Sequence, residues 1–410
     1  MKKRIFISLL IATIYILGKN IPLVFVHTNP HQLNLLNMKN MVEYMIGDDI
    51  GNASIFMLGL SPWMSAMIIA RVIGFFMDEK SNKVAPHRMR IITNILMIGF
   101  IVIQTISRVR TMDFSATSLN QYGRLGVSLF VMCEIFAGSL FLVWLVEKNT
   151  KLGIGGPSLI ILINIIINIS MIIVKYSKNI FTHFDMIACL IVIIYVLMTI
   201  IMTIILTQSE VRIPVYKSSI HNEYASSNYL LFKVNPLGTL PSMYIVSVYV
   251  LLISLLHTLH ELYKDNNVLT MLMKYCDLEQ FSGIVFFVSL FFIFSILLSF
   301  IIVDPKDIAD NLLKNGDCIE NKRPGKQTKK YLNRVLLTLS GISNIIIMVI
   351  MITPLLVGFS FKGKTDLFSM PLTFMILTSI VLNVKEEFDT RLLGHVYERR
   401  LIHLEGGRRQ

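Results

Sequence analysis

Charged side chains are scarce in this sequence. They make up 16% of its 410 residues, whereas 54% are hydrophobic and the mean hydropathy is +0.65. Soluble globular proteins carry about 25% charged residues. Much of the surface of this chain must therefore face something other than water, which excludes an ordinary soluble domain.

Long apolar runs take the place of the missing charge. A helix needs about 20 mostly apolar residues to cross a hydrocarbon core about 30 Å thick, and runs of this kind recur along the whole chain. We predict a polytopic α-helical membrane protein. The ten predicted spans cover 5–27, 56–77, 91–111, 125–147, 154–176, 183–206, 240–263, 281–303, 335–357 and 367–384.

Cysteine is also rare. No two of the four cysteines form a C-x-x-C pair, and the predicted spans spread them over different depths. The sequence therefore indicates neither a disulfide framework nor a zinc site. We interpret all four as packing residues: Cys133, Cys189, Cys276 and Cys318.

The first apolar run follows Lys2, Lys3 and Arg4, an arrangement that also occurs in secretory signal peptides. It is too long for the apolar part of a signal peptide, it is interrupted by Gly18 and Lys19, and no A-x-A cleavage site follows it. We predict a retained span.

The formal net charge of +12 is distributed unevenly between the predicted loops. With the N-terminus inside, and with residues at the span ends counted in the adjoining loop, 26 of the 38 Lys and Arg residues lie on the inner side and 10 on the outer side, and Lys19 and Arg71 lie deeper within spans. The positive-inside rule then predicts that both termini are cytoplasmic. This distribution favours a multi-pass protein in contact with membrane lipids over a nucleic-acid-binding protein.

Two predicted cytoplasmic loops are unusually long, 207–239 and 304–334, and the second holds eight basic residues. One interpretation is a solvated basic loop that touches anionic lipid. The other is a docking site for a cytosolic partner, since long loops with ordered Pro and Gly positions are usually functional.

Motifs for other function classes are weak. The GKQT stretch at 325–328 lacks the spacing of a phosphate-binding loop, which argues against nucleotide binding. Apart from charged residues within four positions of a span end, the predicted spans contain only Lys19, Arg71 and Glu134, whereas a secondary transporter of small solutes usually needs an intramembrane cluster of ionisable groups. We also find no Ser-His, paired-Asp or His-rich constellation of an intramembrane enzyme. We predict no cofactor and no metal, and a pairing of Lys19 with Glu134 stays open.

Five stretches, in the correct order, resemble SecY, the protein-conducting channel of the Sec translocon. They are ASIFMLGLSPWMSAMII (53–69), FLVWLVEKNTKLGIGG (141–156), LLFKVNPLGTLPSMY (230–244), DPKDIADNLLKNG (304–316) and RPGKQTKKYLNRVLLTLSG (323–341). The matched stretches, with IPLVF (21–25), run from about residue 20 to residue 341, and ten spans is the number typical of the family.

Departures from the family pattern are also informative. GIGGPS (153–158) stands where the family usually has G-I-G-N-G-I-S, and the outer loops are compact. Together with the abundance of Ile, Asn and Met, these features resemble the accessory SecY paralogues of Gram-positive bacteria, which export large, often glycosylated, surface adhesins.

The resemblance implies an all-α fold of ten transmembrane helices in two pseudo-symmetric halves of five, 1–178 and 179–410, around a central pore. The half-helix at 37–52 would fold into the outer funnel as a plug, with a hinge at the start of the second span. The plug and hinge residues are Asp48, Asp49, Gly51, Asn52, Gly59 and Pro62.

The resemblance also implies a ring of apolar side chains at mid-membrane that passes an unfolded preprotein without leaking ions. An empty apolar constriction loses its water, which blocks ions. Carried over by position, the ring consists of Leu60, Met64, Ile161 (or Leu162, because the alignment slips by one residue), Met243 and Val381.

The partners implied by the resemblance are a SecA-type ATPase, a SecE-like subunit and SecG-like or accessory small membrane subunits. The motor would dock on the two long loops through Arg212 and Arg323. Arginine suits docking because its planar guanidinium binds a carboxylate with two parallel hydrogen bonds. The chain itself would be a passive channel in the bacterial plasma membrane, and the motor would hydrolyse ATP.

Overall fold

The computed structural model describes residues 2–26, 53–78, 86–110, 112, 114–177, 183–216, 228–235, 240–263, 266–278, 280–320, 322–360 and 365–406. Most of these residues are helical. The helices are α1 (Lys2–Lys19), α2 (Ser61–Asp78), α3 (Pro86–Arg110), α4 (Ala116–Leu152), α5 (Gly156–Ser177), α6 (His183–Gln208), α7 (Leu240–Leu262), α8 (Asn267–Cys276), α9 (Phe281–Val303), α10 (Pro305–Asn315), α11 (Lys326–Ser360) and α12 (Thr365–Gly406).

Six described helices are long and apolar enough to cross a membrane: Pro86–Arg110, Tyr122–Leu152, Leu190–Gln208, Met243–His260, Phe281–Asn315 and Lys326–Thr353. Ser61–Met77 and Gly156–Ser170 are shorter apolar helices. The chain is therefore a multi-pass membrane protein, and each of the ten predicted runs overlaps a helix. The first run was predicted too long, because α1 ends at Lys19 instead of near residue 27.

Many exposed side chains along the long helices are apolar, as on a lipid-facing surface. On α6 the side chains of Leu190, Ile194 and Leu197 are all more than half exposed. Such residues on a soluble protein would be an aggregation hazard, whereas here they meet hydrocarbon.

The main apolar core lies between the helices and includes residues from most of the length of the chain. One cluster of buried apolar side chains draws residues from α1, α2, α4, α5, α6, α7, α9, α11 and α12. Between the helices, α2 packs against α3 and α7, and α12 packs against α5, α6 and α11.

The expectation of an all-α fold is wrong in one detail, since the two long loops contribute three short strands. These are β1 (Glu210–Tyr216), β2 (Tyr229–Lys233) and β3 (Cys318–Ile319), in the sheet order β2-β1-β3. Both pairings are antiparallel, with Arg212 opposite Leu231 and Val215 opposite Ile319.

The junction of α9 and α10 shows why the chain turns there. Asp304 has a positive φ of 34°, which breaks the helical hydrogen-bond ladder after α9. Its carboxylate then accepts hydrogen bonds from the backbone N–H groups of Lys306 and Asp307, 3.1 and 3.3 Å away. Pro305 starts α10, where its missing N–H costs nothing.

Candidate functional site

The segment before α2 is a series of turns and not the start of a helix. Residues 55–60 form turns, with Gly59 at a φ of +52°, a conformation that glycine adopts easily. Pro62, a predicted hinge residue, lies in the first turn of α2, where a proline is tolerated because the N–H groups there have no helical acceptor.

The remaining predicted plug and hinge residues, Asp48, Asp49, Gly51 and Asn52, lie outside the described residues. The described end of this segment is fixed by strand-like contacts to the chain after α1. Leu23 donates its N–H to the carbonyl of Ala53 at 2.7 Å, and Ile55 donates to Ile21 at 3.2 Å.

Four of the five predicted ring residues meet in the main core. Leu60, Met64, Ile161 and Met243 are each at most 3% exposed and belong to one cluster. They come from the α2 region, α5 and α7. Leu162, the alternative to Ile161, is only partly buried against the same cluster.

Val381 does not share this environment. Its side chain is 49% exposed, whereas Ile380, the preceding residue on α12, is 1% exposed and lies in the cluster. One residue along a helix rotates the side chain by about 100°, so a slip of one position moves the side chain out of the core. Ile380, like Leu372, Met375 and Ile376 of α12, lies in the same cluster as the other four, and it is the buried neighbour of the predicted position.

Ser247 of α7 is a neighbour of the ring that sequence reasoning missed. Ser247 is fully buried. Its hydroxyl lies 3.7 Å from the Met64 sulfur and 3.0 Å from the carbonyl oxygen of Met243. A lone serine in an apolar run gives no sequence signal of such a contact.

Lys19 and Glu134 have separate partners in the structure. The buried Lys19 ammonium donates to the side-chain oxygen of Asn164 at 3.0 Å. The Glu134 carboxylate accepts the backbone N–H of Val24 at 3.1 Å. The pairing that the sequence left open is not among the contacts of the described residues.

The two long loops form one folded unit. Residues from β1, β2 and β3 pack with α10 and the start of α11 in a second apolar cluster that includes Ile213, Phe232, Ala309, Ile319 and Leu332. Side chains on the other face of the sheet point away from this cluster. We call that face, with the exposed residues Arg212, Pro214, Tyr216, Tyr229 and Leu231, the outer sheet face.

Arg212 is held at the centre of the outer sheet face. Its guanidinium carbon lies 4.9 Å from the centre of the Tyr229 ring, a distance typical of a cation–π contact. The stacking restricts the side chain and leaves its N–H groups available to a partner.

Arg323 lies in the exposed turn that precedes α11. Its backbone carbonyl accepts the hydroxyl of Thr328 at 2.9 Å, and its N–H donates to the Gln327 side chain at 3.3 Å. Since β3 ends at Ile319, Arg323 follows the sheet by only a few residues. The structure thus joins the loops that carry Arg212 and Arg323.

Arg71 lies in the wall of a cavity of about 480 Å³ between α2, α3, α9, α10 and α11. Its guanidinium contacts the sulfur of Met67 at 3.8 Å. Lys306 and Lys329 line the same cavity. No group of three or more His, Cys, Asp or Glu side chains that could hold a metal ion occurs among the described residues.

Comparison with known proteins agrees with this arrangement. The accessory Sec system protein translocase subunit SecY2 of Leuconostoc gelidum subsp. gasicomitatum is 28% identical over 97% of this chain and 96% of its own length. The SecY2 subunit of Streptococcus oralis is 27% identical over 95% of this chain and 96% of its own length.

A solved structure described as that of a protein conducting channel matches the fold with a TM-score of 0.65 at 17% identity, covering 94% of this chain and 91% of the other. The family model described as SecY matches residues 54–390. Because this match covers well over half of the sequence, the chain belongs to the SecY family.

Proposed function

We propose that this protein is the channel subunit of an accessory Sec-type translocase and conducts unfolded preproteins across the bacterial plasma membrane. The observation that carries the proposal is the single buried cluster in which Leu60, Met64, Ile161, Met243 and Ile380 meet. The cluster lies where four separate parts of the chain converge, and relatives that match almost the whole chain are accessory Sec translocase subunits.

The cluster acts as the resting seal of the channel. Apolar side chains offer no hydrogen bonds to water, so an empty constriction dewets and ions do not pass. Met64 and Met243 give the seal flexibility, because methionine has three rotatable bonds and an adaptable thioether. The seal therefore yields around a polypeptide and closes again behind it.

The segment 37–52 is the plug of this channel, and the turns at 55–60 with Pro62 are its hinge. Asp48, Asp49, Gly51 and Asn52 are polar or small, which suits a segment in a water-filled funnel. Their position next to the seal residue Leu60 in sequence supports this role. The plug adds a second closure on the outer side of the apolar ring.

The architecture is ten spans in two halves, 1–178 and 179–410, with both termini in the cytoplasm. The positive-inside distribution supports the orientation. In this orientation the folded unit of the two long loops lies in the cytosol, where a soluble motor can reach it.

A SecA-type ATPase docks on this unit through Arg212 and Arg323. The outer sheet face supports this proposal, because it offers Tyr216, Tyr229 and Leu231 at about half exposure around a stacked arginine. Aromatic residues and arginine are the side chains that most often dominate binding energy at interfaces. The motor surface that fits presents a carboxylate flanked by apolar groups.

The substrates are preproteins such as large glycosylated surface adhesins, and a SecE-like subunit with SecG-like or accessory small subunits completes the complex. The chain itself is a passive conductor, and the motor hydrolyses the ATP.

Reconstitution tests this function. Vesicles that contain the purified channel and its small subunits, with the accessory motor and ATP outside, should protect an unfolded secretory protein from added protease. Vesicles without the channel and reactions without ATP are the controls. Motor-independent uptake of a small solute, with no protected protein, would contradict the proposal in favour of a transporter.

A further inference from the structure

The glycine-rich turn between α4 and α5 is held from two sides. Its residues Gly153 to Gly156 are buried, and Gly155 has a φ of +81°, where a side chain would be strained. This is the GIGG stretch at which the sequence departs from the usual family pattern.

One side of the turn is fixed by α1 and α4. The Ser8 hydroxyl accepts the N–H of Ile154 at 2.8 Å and donates to the side-chain oxygen of Asn149 at 2.9 Å. The amide nitrogen of Asn149 donates to the carbonyls of Ile154 and Gly156, at 3.1 and 2.7 Å.

The other side of the turn is fixed by α12. Glu387 accepts the N–H of Gly155 at 3.0 Å with one carboxylate oxygen and pairs with Arg391 at 2.6 Å through the other. Arg391 also reaches the carbonyl of Gly153 at 3.5 Å. We call Glu387 and Arg391 the clasp.

The clasp lies on the same stripe of α12 as the seal. Ile376, Ile380, Val384, Glu387 and Arg391 follow one another at intervals of three or four residues, which places them on one face of a helix. Ile376 and Ile380 are buried in the main cluster, and Val384 packs against it. The stripe therefore leads directly from the constriction to the clasp.

The position of this turn determines where α5 begins. Ile161 follows Gly156, the first residue of α5, by five positions, or about 7.5 Å along the helix axis. Ile160 and Ile165 of α5 lie in the same cluster. Since a helix moves as a stiff body, a shift of the turn displaces these side chains.

We propose that Glu387 and Arg391 are positioning residues for the constriction, which hold the start of α5 against α12 and so keep Ile161 and Ile380 in the same buried cluster. This inference rests on the proposed seal and adds to it two residues that lie outside the main cluster. The clasp acts by holding the glycine turn. The ion pair between Glu387 and Arg391 itself contributes little stability, because both side chains are about a third exposed. The buried N–H of Gly155, by contrast, loses its acceptor when Glu387 is removed.

The neighbouring residue provides a matched control. Glu386 carries the same charge on the same turn of α12, but its carboxylate pairs with Lys233 of β2 at 2.8 Å. Glu386→Ala therefore removes an equal charge without touching the glycine turn. Glu387→Gln keeps an oxygen for Gly155 while losing the charge that pairs with Arg391.

The experiment combines hydrogen exchange at 153–158 with the resting ion conductance of the purified channel in planar bilayers. In Glu387→Ala we expect exchange at Gly155 to be at least about tenfold faster, since hydrogen bonds to charged groups are the strong ones, and conductance to rise several-fold. Glu387→Gln should fall between Glu387→Ala and wild type in both measurements. Glu386→Ala should match wild type.

Unchanged exchange in Glu387→Ala would overturn the proposal. So would faster exchange with a closed channel, provided that Met64→Lys, which places a charge in the seal itself, leaks in the same assay. If the Met64→Lys channel also stays closed, the proposed seal is wrong, and the positioning role of the clasp is wrong with it. The exchange data would still show whether Glu387 holds the turn.

Discussion

The hydroxyl of Ser247 lies 3.7 Å from the sulfur of Met64, and this contact joins α7 to α2 inside the main core. The two residues are 183 positions apart in sequence. The contact places a methionine of the proposed seal against α7, so we expect opening of the proposed pore to separate or rearrange these two groups.

A charge placed in the seal should make the closed channel leak. In Met64→Lys or Met243→Lys the ammonium keeps water in the constriction, because burying an unpaired charge is strongly unfavourable. We expect the bilayer conductance of the purified variants to rise over wild type. Unchanged conductance would show that the two methionines only pack between helices.

Ile380 and Val381 should respond differently to a polar substitution. Ile380 is 1% exposed in the main cluster and Val381 is 49% exposed. Ile380→Ser should therefore raise the resting conductance, whereas Val381→Ser, the matched control one residue away, should not. The reverse result would restore Val381 to the ring and reject the assignment of Ile380.

Reversal of the charge at Arg323 should weaken motor binding while folding and membrane insertion persist. Arg323 lies in an exposed turn, and Arg323→Glu replaces attraction to motor carboxylates with repulsion. A loss of about 1.4 kcal/mol already means tenfold weaker binding. Co-purification of the motor and the export rate are the two measurements.

Lys330→Glu is the charge-matched control for Arg323→Glu, since Lys330 is an exposed residue near the start of α11. It should reduce export less. Equal, mild effects of the two variants would favour a loop that only contacts anionic lipid, and normal export by Arg323→Glu would remove Arg323 from the docking surface.

Loss of the Asn149 side chain should destabilise the protein by about 3 kcal/mol, because several buried polar groups lose their partners at once. Asn149 is 0% exposed and bonds Ser8, Ile154 and Gly156. Thermal unfolding in detergent would measure the effect of Asn149→Ala. Ser8→Ala leaves both bonds from the Asn149 amide nitrogen intact and should cost less.

Replacement of Asp304, the N-cap residue of α10, should loosen α10 within the folded unit of the two long loops. Asp304→Ala removes the oxygen that accepts two backbone N–H groups, at a cost of about 1 kcal/mol. Asp304→Asn keeps an acceptor and tolerates the positive φ, so it should resemble wild type. Limited proteolysis within α10 distinguishes the two, and equal cleavage rates would contradict the capping role.

The helices could be predicted from the sequence because a membrane span requires a long apolar run, and that requirement leaves a direct signal. The end of α1 could not. The chain leaves the helix after Lys19, where Lys19 binds Asn164 and Leu23 pairs with Ala53. Both contacts depend on residues far along the chain, which composition does not show.

The ring was inferred by resemblance and stays a prediction. The structure buries four of its residues in one cluster, whereas Val381 is half exposed. A helix side chain changes direction by about 100° per residue, so an alignment that is wrong by one position exchanges a buried side chain for an exposed one. The sheet, in turn, was missed although β1 alternates, with Ile213 and Val215 buried and Arg212 and Pro214 exposed. That period-two pattern was the available signal.

The pairing of β3 with β1 has a consequence for chimeric channels. Val215 and Tyr216 from the first long loop pair with Ile319 and Cys318 from the second. A graft that exchanges only 207–239 between two paralogues leaves a foreign strand beside the host's β3 and a foreign surface against α10 and α11. The two loops, although separated by two membrane helices in sequence, therefore form a single module, and recombination must transfer both loops together if the proposed motor docking is to be transferred.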